Sequence, residues 1–244
     1  MEVKPYSKEG SKKNQVREMF DKISRRYDLL NRLLSAGIDQ RWRKTLIRHM
    51  RRQHPERILD IATGTADLPL MQARHLRPRK ITGLDISEGM LEMARKKIRK
   101  AGLENLVELV QGDAENLPFP DASFDAVSVA FGVRNFENLE RGLRETARVL
   151  KPGGHMYILE FSQPEHTPFK QLYGFYSRRI LPFIGKLISG DASAYTYLPE
   201  SIAAFPYGEK MKKLIRQNGF AQAEAYPLTF GIATLYVAKK DSHA

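Results

Sequence analysis

Two acidic residues at the ends of apolar runs mark where chemistry is possible in this chain. The run Ile58-Leu59-Asp60-Ile61 leads into a small-residue turn, Ala62-Thr63-Gly64-Thr65-Ala66. Twenty-five residues after Asp60, a second run, Ile81-Thr82-Gly83-Leu84, ends in Asp85. A strand, a tight turn and a later acid are the parts of a nucleotide-binding βαβ unit, in which the acid accepts ribose hydroxyls. The turn has one glycine, not the three of G-x-G-x-x-G, and no lysine follows as in a P-loop. It therefore lacks the spacing that cradles a pyrophosphate and suits a nucleoside without phosphates. S-adenosylmethionine is the usual ligand of that kind, and an acidic strand end suits its amino and sulfonium charges.

The elements that must position these residues alternate. Strands are expected at 58–62, 80–84, 106–110, 124–130 and 155–161, with helices at about 67–76, 87–101 and 137–150 between them. Lys151-Pro152-Gly153-Gly154 reads as a helix terminator before the fifth strand. Such alternation implies an α/β fold: a Rossmann-like, seven-stranded, mostly parallel sheet with helices on both faces. The rhythm fails over 162–201, an aromatic-rich and Pro-rich stretch, and returns with a helix at about 208–218. Strands at about 222–229 and 232–238 then close the sheet, the last of them antiparallel at its edge. Before the first strand, 1–57 reads as helices, with Val16, Met19, Phe20 and Ile23 sharing one face and Asp39 placed to cap a further helix. The expected organisation is one domain: basic N-terminal helices (1–57), a βα core (58–161), a helical lid insert (162–201) and a closing helix and strand pair (202–244).

The chain of 244 residues is long enough for one sizeable core. It has no cysteine, so thiolate nucleophiles, disulfides and Cys-ligated metals are excluded, and no metal site is expected. No apolar run approaches the ~18 residues of a spanning helix, and the first residues hold no apolar signal segment. A cytoplasmic location is therefore expected, with any membrane contact peripheral at the inner face. Of the net charge of +12, residues 1–57 carry a surplus of nine, from 16 Lys and Arg against 7 Asp and Glu. That imbalance reads either as an appendage meeting an anionic membrane or nucleic acid, or as a solvated helix face.

Asp60…Gly64-Thr65, Gly83-Leu84-Asp85-Ile86-Ser87, Gly112-Asp113-Ala114-Glu115 and Leu150-Lys151-Pro152-Gly153-Gly154 together resemble the motif series of class I S-adenosylmethionine methyltransferases. Three further segments are Arg26-Tyr27-Asp28-Leu29-Leu30-Asn31 through Gly37-Ile38, Ala130-Phe131-Gly132-Val133-Arg134-Asn135, and Ile184-Gly185…Tyr195-Thr196-Tyr197-Leu198-Pro199-Glu200-Ser201-Ile202. With Leu159-Glu160-Phe161-Ser162, they are similar to the ubiquinone/menaquinone biosynthesis C-methyltransferases, from about residue 14 to 238. Two departures stand out. Ala66 occupies a position where that family usually has Gly, and Ala130 one where many relatives carry a hydroxyl residue.

The resemblance implies C-methylation of a prenylated quinol, demethylmenaquinol or a benzoquinol precursor of ubiquinone, with S-adenosylhomocysteine as product. It places Asp60, Gly64 and Thr65 at the methionine end, Asp85 on the ribose, and Asp113 with Ala114 at the adenine. The acceptor belongs beyond the strand carboxyl ends. There Arg134 is expected to stabilise an ionised quinol oxygen and Asn135 to bond the other, unless Asn135 merely caps the next helix. Phe131, Tyr27, Tyr195 and Tyr197 are expected to wall the ring, and the segment 169–184 to line a channel for the isoprenoid tail or to pack as a lid. Two rival readings are a nucleic-acid methyltransferase and a cofactor-binding regulator without turnover. The first lacks a Cys nucleophile for pyrimidine C5 and an Asn-Pro-Pro-Tyr-type loop, so no nucleic-acid partner is expected.

Overall fold

The computed structural model describes residues 3–6, 9–165, 167–175 and 192–242. Strands β1 (Arg57–Ile61), β2 (Lys80–Asp85), β3 (Val107–Gln111), β4 (Phe124–Ala130), β5 (Leu150–Phe161), β6 (Phe220–Leu228) and β7 (Ala233–Lys240) form one sheet in the order β3-β2-β1-β4-β5-β7-β6. The β1, β2, β3, β4 and β5 pairings are parallel. The last strand, β7, is antiparallel to both its neighbours, as expected of it. It lies between β5 and β6, so the edge of the sheet is β6 and not β7. The alternation also breaks at Lys151–Gly154, which belongs to β5: Leu150 pairs Phe124 and His155 pairs Ala126, with the intervening residues accommodated at a register shift.

Period-two alternation divides the central strands between two cores. Ile58, Ala126, Tyr157 and Leu159 face α3 (Ile38–Arg51) and α4 (Asp67–Leu76) on one side. Leu59, Val127, Met156 and Ile158 face α6 (Leu139–Val149) and the helix Glu209–Gln217 on the other. Burial on both faces explains why these strands read as nearly unbroken apolar runs.

The N-terminal helices lie over the carboxyl ends of β1 and β2. From α1 (Lys12–Ile23), Val16, Met19 and Ile23 form a third cluster with Met90 of α5 (Glu88–Lys100) and with Tyr197. Ser87 caps α5, and Asp21 accepts hydrogen bonds from the Ser87 hydroxyl (2.6 Å) and the Gly89 N–H (3.0 Å). From α2 (Tyr27–Ser35), Asp28 meets the Lys97 ammonium at 2.5 Å, and Asp67 shares that ammonium at 2.6 Å. A carboxylate at each crossing, Asp21 at the α5 cap and Asp28 on Lys97, thus fixes the appendage over the sheet. Among the described residues, no helix is long and apolar enough to cross a membrane.

Candidate active site

Two adjoining cavities open at the carboxyl ends of β1, β2 and β4. The smaller, about 80 Å³, is lined by Gly64, Asp85, Asp113, Ala114 and Ala130 with apolar walls from Val16, Met90 and Phe136. The turn after β1 makes it possible. Gly64 has φ +56, a left-handed conformation natural to glycine, and a Cβ there would meet the Tyr27 ring. Asp85 caps the end of β2: its Oδ2 accepts from the Gly64 N–H at 2.7 Å and its Oδ1 from the Ser87 N–H at 2.9 Å. Each carboxylate oxygen keeps lone pairs for further donors. Burial pushes this carboxyl up to about 6, against the hydrogen bonds from Ser87, Gly64 and Ile86. One buried strand-end carboxylate, a glycine turn and apolar walls for a purine suit S-adenosylmethionine.

Two of the residues expected at the methionine end turn elsewhere. Asp60 is 2% exposed and sits beneath the cavity, its carboxylate held by the hydroxyls of Ser128 (2.5 Å) and Thr63 (2.7 Å). Asp60 and Ser128 are register partners on β1 and β4, which is why the acid points along the sheet. Burial pushes its carboxyl up to about 7. Thr65 donates to Asp28 at 2.6 Å and accepts from Lys97 at 2.8 Å, so its hydroxyl faces the crossing with α2. Asp113 is at the cavity but engaged: Lys13 reaches its Oδ2 at 2.6 Å, and Glu115 N–H its Oδ1. Ala66, with φ +66, is fully buried in the core of α3 and α4, so its Cβ adds to packing and not to the cavity wall. Ala130 does line the cavity, and it offers no hydroxyl there.

Gly132 brings the β1 and β4 turns together. A Cβ on it would lie 2.5 Å from the Ala62 Cβ and 3.2 Å from Val129 Cγ1. Gly132→Ala is therefore expected to destabilise the fold by ~1–3 kcal/mol, a fall of about 2–12 °C in Tm. Cofactor binding should weaken with it, because Ala62 lines the same cavity. A thermal melt and a cofactor titration check both; an unchanged melt would mean that the turns separate freely.

The larger cavity, about 390 Å³, shares Phe20, Tyr27, Phe131 and Asn135 with the smaller one. Its wall is rich in aromatic rings. Phe131 and Phe161 rings lie 4.7 Å apart, and Trp42 packs on both at 6.0 and 6.1 Å. Phe131 holds φ +62, a strained conformation for a bulky residue and one that tends to mark functional sites. Arg134 is buried against Glu160, with Nη1 2.8 Å from Oε1, and Nη1 also donates to the Phe131 carbonyl. Asn135 accepts from the Tyr197 hydroxyl at 3.1 Å and is not a helix cap, since Asn138 caps α6. Burial pushes the Tyr27 phenol above its ordinary value, while a hydrogen bond to Asn31 and the charges of Arg134 and Arg43 pull it back. Tyr195 belongs to the helix Ala192–Ala204, but its side chain lies outside the described residues. The expected tail segment 169–184 is described only to Phe175; its Phe169 and Tyr173 line the cavity.

Sequence reasoning assigned no role to Glu160, which anchors Arg134, or to Arg43 and Trp42, which line this cavity; Asp39, expected to cap α3, instead lies inside its first turn, after Gly37 at the cap, and lines the cavity too. Glu160 carried the same signal as Asp85, an acid at a strand's carboxyl end. Asp39 and Arg43 stand four apart on the apolar face of α3, where charges have no structural reason to be.

The comparisons agree with this geometry. The family model described as the ubiE/COQ5 methyltransferase family matches residues 8–240. A demethylmenaquinone methyltransferase of Bacteroides fragilis is 48% identical over 238 residues, 98% of this chain and 97% of that protein. The ubiquinone/menaquinone biosynthesis C-methyltransferase UbiE of Geobacter sulfurreducens is 45% identical, covering 94% of this chain and 90% of its own. Among solved structures, a S-adenosylmethionine-dependent methyltransferase of Thermotoga maritima, described as a possible histamine N-methyltransferase, superposes with TM-score 0.62 at 21% identity. It covers 92% of this chain and 99% of that one, a likeness of fold. Matched by the family model over nearly all of its length, and alike to relatives over nearly all of theirs, this chain belongs to the ubiE/COQ5 methyltransferase family.

Proposed function

We propose that this chain methylates a ring carbon of a prenylated quinol, demethylmenaquinol in the first instance, where its two cavities meet. The observation that carries this reading is the shared wall of Tyr27, Phe131 and Asn135 between a nucleoside-sized groove and an aromatic cavity. Asp85 and Gly64 hold S-adenosylmethionine, which supplies the electrophilic methyl when bound, leaving as S-adenosylhomocysteine. Phe131 and Phe161 offer flat faces to the quinol ring. Arg134, oriented by Glu160, stabilises the ring oxygen as its proton leaves, and the carbon beside that oxygen takes the methyl and then loses its own hydrogen as a proton, which restores the aromatic ring and the hydroxyl. Guanidinium groups do not deprotonate in proteins, so Arg134 acts as a cation and not as a base. Asn135 and Tyr197 complete the polar edge, and closure by α1 excludes water.

The test is methyl transfer from labelled S-adenosylmethionine to chemically reduced demethylmenaquinone, beside the oxidised quinone, a benzoquinol precursor and bulk tRNA. Label in the reduced naphthoquinol is the expected result. Label confined to the benzoquinol would move the acceptor to ubiquinone synthesis, one of the two that the name of the Geobacter relative gives. Label in tRNA alone would overturn the proposal.

The acceptor's tail implies contact with a membrane surface, and α3 suits one. Its outward residues Arg41, Lys44, Arg48 and Arg51, with Arg52 just beyond, are all exposed, while its one acid, Asp39, is buried. Phe230, 67% exposed, stacks at 3.7 Å on Phe169 of the acceptor cavity. Each cation near an anionic surface contributes ~1 kcal/mol, so replacing Arg41, Lys44 and Arg48 by Gln should lower partitioning onto phosphatidylglycerol vesicles ~10²-fold. Co-sedimentation checks this; equal binding to phosphatidylcholine would leave the stripe a merely solvated face.

A further inference from the structure

The buried face of α3 is apolar at Trp42, Leu46, Ile47 and Met50, yet it carries Asp39 and Arg43, only 5% and 6% exposed. Stability does not call for them, since a buried ion pair is no better for a fold than an apolar pair of like volume. Asp39 is saturated: Arg43 Nη1 pairs with its Oδ2, the Ser35 hydroxyl donates to its Oδ1 at 2.7 Å, and Gln40 donates at 3.2 Å. Arg43 is not. Its guanidinium lies over the Phe131 ring, 5.2 Å from the centroid, and its buried Nε has no hydrogen-bond partner among the described residues.

Across the same aromatic platform stands a second copy of this arrangement. Arg134 is anchored by Glu160, lies 5.4 Å from the Phe161 centroid, and also has a buried Nε without a partner among the described residues. Both arginines line the larger cavity. Two anchored cations, each against a ring of the same aromatic pair and both lining one cavity, point to a ligand that accepts from both. A ring with one oxygen would satisfy one; a 1,4-diol presents two, on opposite sides.

Resting on the function proposed above, we infer that Arg43 is a second acceptor-binding residue, holding the quinol oxygen remote from the methylated carbon while Arg134 serves the adjacent one. Both arginines line only the larger cavity, but the chain around Arg134 (Gly132, Asn135 and Phe136) lines the cofactor groove, whereas no residue of α3 does, so Arg134 stands on the side of the methyl and Arg43 away from it. The remote oxygen lies meta to the methylated carbon and does not feed charge to it. Loss of Arg43 is therefore expected in KM and binding, and loss of Arg134 in kcat.

Trp42, the single tryptophan, neighbours Arg43 in this cavity and reports ligand binding without turnover. The probes are 2-prenyl-1,4-naphthalenediol and 3-prenyl-1-naphthol, which lacks only the remote hydroxyl. The variants are Arg43→Met and, to avoid a stranded carboxylate, Asp39→Asn with Arg43→Met. With the diol, both variants should bind about ten- to a hundredfold more weakly, with kcat within threefold and an unshifted pH profile. With the naphthol, wild type and variants should bind alike. An equal loss on both probes, or none on the diol, would overturn the assignment of Arg43 alone. A wild type that binds S-adenosylmethionine but neither probe would instead remove the quinol reading, and this one with it.

Discussion

Methyl transfer by Arg134→Met should fall ~10²–10³-fold while cofactor affinity stays within about threefold, the loss typical of a deleted oxyanion donor. The expectation rests on where the guanidinium sits. It lines the larger cavity and not the smaller one, it is fixed by Glu160, and its Nε has no partner among the described residues. A phenol ionises near pH ~10, so a cation must lower that barrier if the ring is to react at neutral pH. The variant's rate should accordingly climb with pH further into the alkaline range than that of wild type. The single substitution has a second effect, because Glu160 is fully buried and would be left as an unpaired charge. Breaking such a pair costs ~3–5 kcal/mol. Arg134→Met combined with Glu160→Gln removes the stranded carboxylate and should recover stability without recovering turnover. A double variant that regains the wild-type rate would show that Arg134 serves only to neutralise Glu160.

The cofactor side of this site was far more legible in the sequence than the acceptor side, for a physical reason. Asp85, Gly64, Asp113 and Ala114 lie at strand ends and turns, where chain position alone determines which way a group faces. Asp60 shows the limit. It too ends a run, but its direction depends on Ser128, which stands beside it only because β4 pairs with β1. Thr65 likewise follows Asp28 and Lys97, partners distant in sequence. The acceptor cavity is assembled from α1, α2, α3, β5 and the helix Ala192–Ala204, so no local pattern outlines it. Arg134 and Asn135 were legible from their place after β4, but their partners Glu160 and Tyr197 were not. The position of β7 inside the sheet is similar: two closing strands fit either order, and only packing against β5 decides.

Asp85→Asn should weaken S-adenosylmethionine binding ~10²-fold or more, since hydrogen bonds to a charged acceptor are worth ~1.5–3 kcal/mol each and two ribose hydroxyls are to be held. Wild-type protein should carry a matching pH dependence. Burial holds the Asp85 carboxyl at about 6, and the ribose needs the carboxylate form. Affinity measured by calorimetry should be flat from pH 7 to 8 and fall by about tenfold per unit below ~6, with protons released on binding. Stability of the free protein runs the other way. Asp85 at about 6 and Asp60 at about 7 both lie above the ~3.9 of an unfolded aspartate. The folded state then binds these protons more tightly, so the contribution is complete below pH ~4 and is lost as pH rises through 6 and 7. The cofactor's thermal stabilisation should therefore grow between pH 5 and 8 while these two carboxyls make the free protein less stable. Asp60→Asn should remove part of that decline and leave the affinity profile intact, because Asp60 lies beneath the groove and not in its wall. An affinity that stayed constant from pH 5 to 8 would remove Asp85 as the ribose ligand.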